Sequence, residues 1–261
     1  MALALIAMLP LSFILLRASS WATSRSYLRT SEQLAVVKRP PAIVNTTSDE
    51  ATPGDGLCSL REAIIAANAG PGVVNDCGGI AGFDTIKFSV SGTIRITGSA
   101  FPAIMNPLTI DGTGQRIVVD GAGSFQVFVV DTGVAVTLND LAITNGNGGM
   151  SDGGGIENHG TLAVTNCTIG GNTTMVAGGG IFSDGTLTVT SSTIFGNSAP
   201  LGGGILGFDM TVTNSTISGN TATNVGGGIR SVGTWTVTNS TIAGNVATNF
   251  GGGLETMWAA R

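Results

Sequence analysis

The 261-residue chain is 42% hydrophobic but only 10% charged, with 41 glycines and a formal net charge of −5. Such an apolar fraction excludes a disordered chain, which needs low hydrophobicity or strong self-repulsion. The acidic balance and the absence of any Lys/Arg run exclude a surface suited to a phosphate backbone, so nucleic acid is not an expected partner.

In chain order, residues 1–22 read as a signal peptide. An apolar run from Ala2 to Leu16 is followed by Arg17 and by Ser20 and Ala22, small residues that suit a cleavage site. The run is too short for a comfortable membrane span, and no Lys or Arg precedes it. Residues 23–42 follow as a flexible, polar segment, and the mature chain is expected to have no stable membrane span. Export, to the medium or the cell surface, would place the three cysteines in an oxidising compartment. Cys58 and Cys77 are the expected pair. Cys167 stands where sister repeats carry serine and is expected to be a small buried hydrophobe.

Residues 43–90 form an N-terminal cap built around one helix that starts at Ser59. Ser59 and Glu62 have the spacing of a capping box, in which each side chain bonds the other's backbone amide. Leu60, Ala63, Ile64 and Ala67 supply a one-sided apolar stripe. Such a helix can cover the exposed strand edges of a first coil.

Residues 91–261 carry the repeats. Gly153-Gly154-Gly155-Ile156 returns at Gly178, Gly202, Gly226 and Gly251, at intervals of 25, 24, 24 and 25 residues. Between the triplets runs a second phrase that ends in Asn172, Asn197, Asn220 and Asn245. A fixed period of this length means a solenoid. Alternation such as Leu187-Thr-Val-Thr190 and Trp235-Thr-Val-Thr238 is strand periodicity, so each repeat is expected to be a coil of about three parallel strands. The core columns then run Leu162, Leu187, Met210, Trp235; Val164, Val189, Val212, Val237; Ile169, Ile194, Ile217, Ile242; and Ile156, Ile181, Ile205, Ile229. Cys167, Ser192, Ser215 and Ser240 form an interior hydroxyl/thiol row, and the Asn column stacks its amides along the axis. The Gly triplets serve turns that need positive φ or close approach, because neither the Lys nor the helix of a phosphate loop follows them. The fold class is therefore all-β: a right-handed parallel β-helix, a pectin-lyase-like solenoid, with a short capping helix.

Cys58-Ser59-Leu60-Arg61-Glu62-Ala63 spells the motif of the CSLREA domain found in bacterial β-helix proteins. The resemblance continues through Asp84-Thr-Ile-Lys-Phe88, Gly92-Thr-Ile94, Leu108-Thr-Ile-Asp-Gly112 and Val136-Thr-Leu138. The later repeats resemble those of polymorphic outer-membrane proteins. It implies export, a parallel β-helix, and surface display or adhesion, without a settled activity. Glu255 to Arg261 follow the fifth triplet without finishing a coil, which reads as truncation.

Three function classes remain. Adhesion, display or scaffolding, with surface glycans or other cell-surface components as partners, is the leading expectation. For a polysaccharide lyase or hydrolase, the best acid/base candidates are Glu157, Asp184 and His159, the only histidine. A lyase-like site also calls for several carboxylates around Ca²⁺ and a Lys or Arg base, yet after Arg116 only Arg230 and Arg261 are basic apart from His159. No metal, cofactor or catalytic assignment is made, and Asp111 and Asp120, each before glycine, read as turn residues. The third class is ice or glycan binding by outward threonines. Thr161, Thr186 and Thr234 form one column, Thr188, Thr211 and Thr236 a second, and Thr165, Thr190, Thr213 and Thr238 a third, with Ala163 and Asp209 as interruptions.

Overall fold

A computed structural model describes residues 40–69, 76–77 and 84–256. The expected signal peptide and most of the segment after it lie outside the described residues.

Short strands separated by Gly, Asn or Asp corners wind into an all-β solenoid of about seven turns. It is right-handed, the sense that twisted strands impose on parallel crossovers. Among the described residues every pair of strands is parallel, and successive coils stack residue for residue: Leu162 lies beside Leu187, Leu187 beside Met210, and Met210 beside Trp235. The strands fall into sheets of twelve, seven and three strands. The first is the largest because it gathers both the stretch after each Gly triplet and the alternating Thr strand. In Ile181–Thr190 and Ile205–Thr213 these two stretches join in one bent strand.

Alternation decides which side chains are buried. The four core columns face inward and are closed off from solvent, except in the last described coil, where Trp235 is 37% exposed and Val237 and Ile242 are half-buried. The polar columns are equally ordered. Each Asn amide donates to the next Asn oxygen at 2.9 Å, from Asn172 through Asn197 and Asn220 to Asn245. Its second donor position bonds a carbonyl of the preceding coil, so the ladder satisfies itself within the core. In the hydroxyl row, the backbone amides of Cys167, Ser192 and Ser215 donate to the hydroxyls of Ser192, Ser215 and Ser240.

The corners explain the punctuation. Asn166, Ser191, Asn214 and Asn239 turn the chain between the first and second sheets with φ of 50–52°, a left-handed conformation that asparagine tolerates better than most residues. The first glycine of each triplet also has positive φ, as at Gly178 (67°). The second lies too close to its neighbours for a side chain: a Cβ on Gly179 would collide with the carbonyls of Gly203 and Ser198. The amides of the first four triplets donate to carbonyls of the following coil, so they are not presented to a ligand.

The N-terminal helix spans Leu60–Ala69. Ser59 and Glu62 cap it reciprocally, at 3.0 and 3.1 Å. Leu60, Ala63, Ile64 and Ala67 are buried in the solenoid core, as is Ala66. The helix packs on strand Ala42–Val44, which begins the first sheet by pairing with Thr85–Phe88. Residues of the cap are thus continuous with the solenoid. Arg61 secures the outer side: its guanidinium pairs with Asp49 at 2.7 Å, donates to the Ser99 and Ala100 carbonyls, and lies over Phe101. Cys58 and Cys77 are joined by a disulfide, both buried.

Candidate functional site

Two regions collect the candidate residues. The first is the outward side of the large sheet. Strand register places Thr85, Thr109, Thr137, Ala163, Thr188, Thr211 and Thr236 in a single column, one residue per coil. A flanking column runs Thr165, Thr190, Thr213 and Thr238. On the other side Thr161 and Thr186 are followed by Asp209, and Thr234 stands just before the strand Trp235–Thr238. Across these four coils, ten of the twelve outward positions are threonine. Thr161, Thr186, Thr188, Thr211, Thr234, Thr236 and Thr238 are exposed. Asp209 turns sideways to accept from the Thr234 amide at 3.3 Å. A shallow depression lies between Thr186, Asp209, Thr211 and Thr236.

Toward the N-terminus the same face changes character. The column of Thr165 continues into Asn139, Asp111 and Lys87. Lys87 pairs with Asp111 at 3.0 Å, and Asn139 donates to Asp111 at 2.9 Å. Burial would raise the Asp111 pKa, but bonds from Thr113, Asn139 and Lys87 outweigh it and hold the carboxyl well below its ordinary value. Asp111 is therefore both a turn residue, through Thr113, and part of a charged ladder. Asp120 is a turn residue that accepts from the Ala122 amide.

The second region is the bend between the two stretches of the first sheet. Glycine makes this corner, since a Cβ on Gly160 would strike the Val134 carbonyl and one on Gly185 the Gly160 carbonyl. The residue before each glycine projects outward, which brings His159 and Asp184 together from adjoining coils. His159 Nδ1 lies 2.9 Å from Asp184 Oδ1, and Nε2 lies 3.2 Å from Glu157 Oε1. Phe182 meets the imidazole edge-on. All three acid/base candidates are therefore in contact.

Two members of this cluster escaped the sequence reading. Gln126 donates to Glu157 Oε2 at 3.1 Å and to the carbonyls of Asp152 and Gly153. Asp152 has one carboxylate oxygen buried without a hydrogen-bond partner. Burial, reinforced by Glu157 and Asp184, raises its pKa. Repeat alignment could have revealed it: Asp152 precedes its triplet where the other coils place Ala177, Leu201, Val225 and Phe250. For Gln126 the sequence holds no comparable signal.

The chemistry follows from the imidazole. Burial alone would lower the His159 pKa, but Asp184 and Glu157 outweigh it and raise it. Both ring nitrogens face carboxylates, so the geometry suits an imidazolium that donates twice. A general base needs one nitrogen free to accept a proton, and here Glu157 occupies that position. Among the described residues, no group of three His, Cys, Asp or Glu side chains is arranged to hold a metal ion.

Arg230 lies beside Glu255 in register, two coils beyond Phe182. Cys167 is buried, with its thiol pKa pushed up by burial to about 11. A further threonine column, Thr168, Thr193, Thr216 and Thr241, lies on the second sheet. Among the described residues no helix is long and apolar enough to cross a membrane. The chain matches no family model, no curated protein and no solved structure.

Proposed function

We propose that the chain is an exported β-helix, of the CSLREA type that its motif resembles, which acts in adhesion or surface display and binds through the threonine face of its large sheet. The observation that carries this reading is the run of ten threonines in twelve in-register outward positions. The apolar leader and the Cys58–Cys77 disulfide support export. Regular stacking lets a surface or polymer engage many equivalent side chains at once, which multiplies weak contacts. Surface glycans and other cell-surface components are the expected partners. Replacing Thr188, Thr211 and Thr236 together by lysine tests the face. Adhesion or glycan-array binding should fall while the β-rich circular dichroism spectrum is kept, and unchanged adhesion would remove this face from the function.

A second reading, a polysaccharide-active lyase or hydrolase, is favoured by the contact of His159 with Glu157 and Asp184. Depolymerisation of pectin or alginate by the wild type, lost in Glu157→Gln, His159→Ala and Asp184→Asn, would establish it in place of the first.

A further inference from the structure

Resting on the reading of the threonine face as the binding surface, we infer that its ligand is ice: an ordered layer of water held on the four coils from Thr161 to Thr238.

Charge narrows the ligand first. The four coils present no cation on this face, and its only formal charge is Asp209, which is already turned to the Thr234 amide. Uronates, sialylated glycans and phosphate surfaces therefore find no counter-charge. Shape narrows it further. Sites for individual small ligands are concave and combine aromatic walls with a few placed polar groups, whereas this face is a sheet surface whose depression between Thr186, Asp209, Thr211 and Thr236 is shallow and has no aromatic lining, and whose three outward columns carry no aromatic side chain. What it offers is a two-dimensional grid, charged only at Asp209, in which a hydroxyl and a methyl recur at almost every node.

The spacing of that grid suits water. Parallel pairing sets about 4.8 Å between coils, and alternate residues of a strand lie about 6.6 Å apart. Tetrahedral water joined by O–H···O bonds of about 2.75 Å repeats at about 4.5 Å in one direction and about 7.3 Å in the perpendicular one. With such a lattice centred on the Thr188 column, the outer columns depart by about 0.7 Å and the end coils by about 0.5 Å, which bent hydrogen bonds absorb. Threonine also has restricted χ1 freedom, and its backbone here is held in a paired strand. The hydroxyl grid is thus formed before water arrives, and little side-chain entropy is lost on binding. The N-terminal part of the face lacks this property, because Lys87, Asp111 and Asn139 bond one another there.

The test uses the oxidised full chain and a single ice crystal. The wild type should shape the crystal, open a thermal-hysteresis gap, and coat defined crystal planes when fluorescently labelled. The variant with lysine at Thr188, Thr211 and Thr236 should lose about tenfold or more of that hysteresis, because binding sums contacts across coils. Thr188→Val with Thr211→Val, which keeps shape and strand propensity, guards against a folding defect and should also reduce it. A control with lysine at Thr168, Thr193 and Thr216 on the second sheet should retain it. Absence of hysteresis and plane binding in the folded wild type overturns the inference, as does equal loss in the two lysine variants. A wild type inactive on ice whose glycan or cell adhesion is abolished by the first lysine variant leaves the proposed function standing and sinks the ice assignment. Inactivity in every assay sinks both, and a concentration-dependent dimer that the lysines disrupt, without hysteresis, assigns the face to a second copy instead.

Discussion

Replacing Asn197 by alanine should be among the most damaging single changes in the repeats. Its Oδ1 accepts from both the backbone amide and the side-chain amide of Asn172, each at 2.9 Å, while its own amide donates to Ile169 O and to Asn220 Oδ1. After truncation, the Asn172 side chain keeps its bond to Ile143 O, and Asn220 Oδ1 keeps the Asn197 backbone amide. The Asn172 backbone N–H loses its partner where Asn172 is 1% exposed, while the Ile169 carbonyl, 0% exposed, loses its side-chain donor but keeps its place in the parallel ladder with Thr193–Phe195. An unsatisfied buried N–H costs about 1–3 kcal/mol and a bond lost from a group that keeps another partner about 0.5–1.5 kcal/mol, so the expected loss is about 3 kcal/mol. The matched control is Asn245→Ala. Asn245 makes the same bonds to Asn220 and Ile217 but is half-buried, so water can replace part of what is lost, and about 1–2 kcal/mol is expected. Equilibrium urea unfolding of both variants, followed by circular dichroism, makes the comparison. A loss below about 1 kcal/mol for Asn197→Ala, or equal losses for the two, would refute the claim that the ladder holds the core by satisfying buried backbone groups.

Three further predictions concern titratable groups and cysteines. The raised His159 pKa means that its stabilising contribution is complete below the unfolded value of about 6.5 and is lost as pH rises through the folded value. His159→Ala should therefore flatten the pH dependence of the melting temperature over that interval, modestly because the cluster is partly exposed; superimposable wild-type and variant profiles would exclude the linkage. Opening the Cys58–Cys77 bridge, which closes a sequence separation of 19, should cost about 3 kcal/mol by the chain-entropy relation, read from melting with and without reductant. Cys167, buried with its pKa near 11, should resist alkylation at neutral pH until the chain unfolds, and rapid labelling of the native protein would contradict its placement.

The solenoid was legible because its signals are local and repeated. Leu187, Val189 and their equivalents alternate with threonine, and that alternation sets the inward face without knowledge of the partner strand. Even the irregularities can be read. The Asn column recurs at 25, 23 and 25 residues, so the coil holding Phe208 is short. The structure absorbs one missing residue at the bend, where Phe208 faces both Asp184 and Gly185, and another between Asn197 and Gly202, where the register shifts at Ala199/Leu201. Corners tolerate such deletions, whereas a slip within a strand would turn its core residues outward. The pairing of Ala42–Val44 with Thr85–Phe88 was not legible, since it closes across a helix and more than forty residues with no repeat to announce it.

The candidate sites divide along the same line. Thr188, Thr211 and Thr236 share a column because they share a place in the repeat, and the same logic, extended upstream, would have reached Thr137, Thr109 and Thr85. The His159 cluster is only half periodic. Asp184 follows from its equivalence to His159, but Gln126 reaches Glu157 from a loop that no other coil copies. A repeat tells which residues become neighbours along the axis; it does not report what each side chain will do with its partners. Glu157 and Asp184 look like acid/base partners for His159 until their distances show both ring nitrogens engaged. The contact that brings this corner together also occupies both nitrogens of its imidazole, whereas seven of the ten threonines on the four-coil face of the large sheet stay exposed.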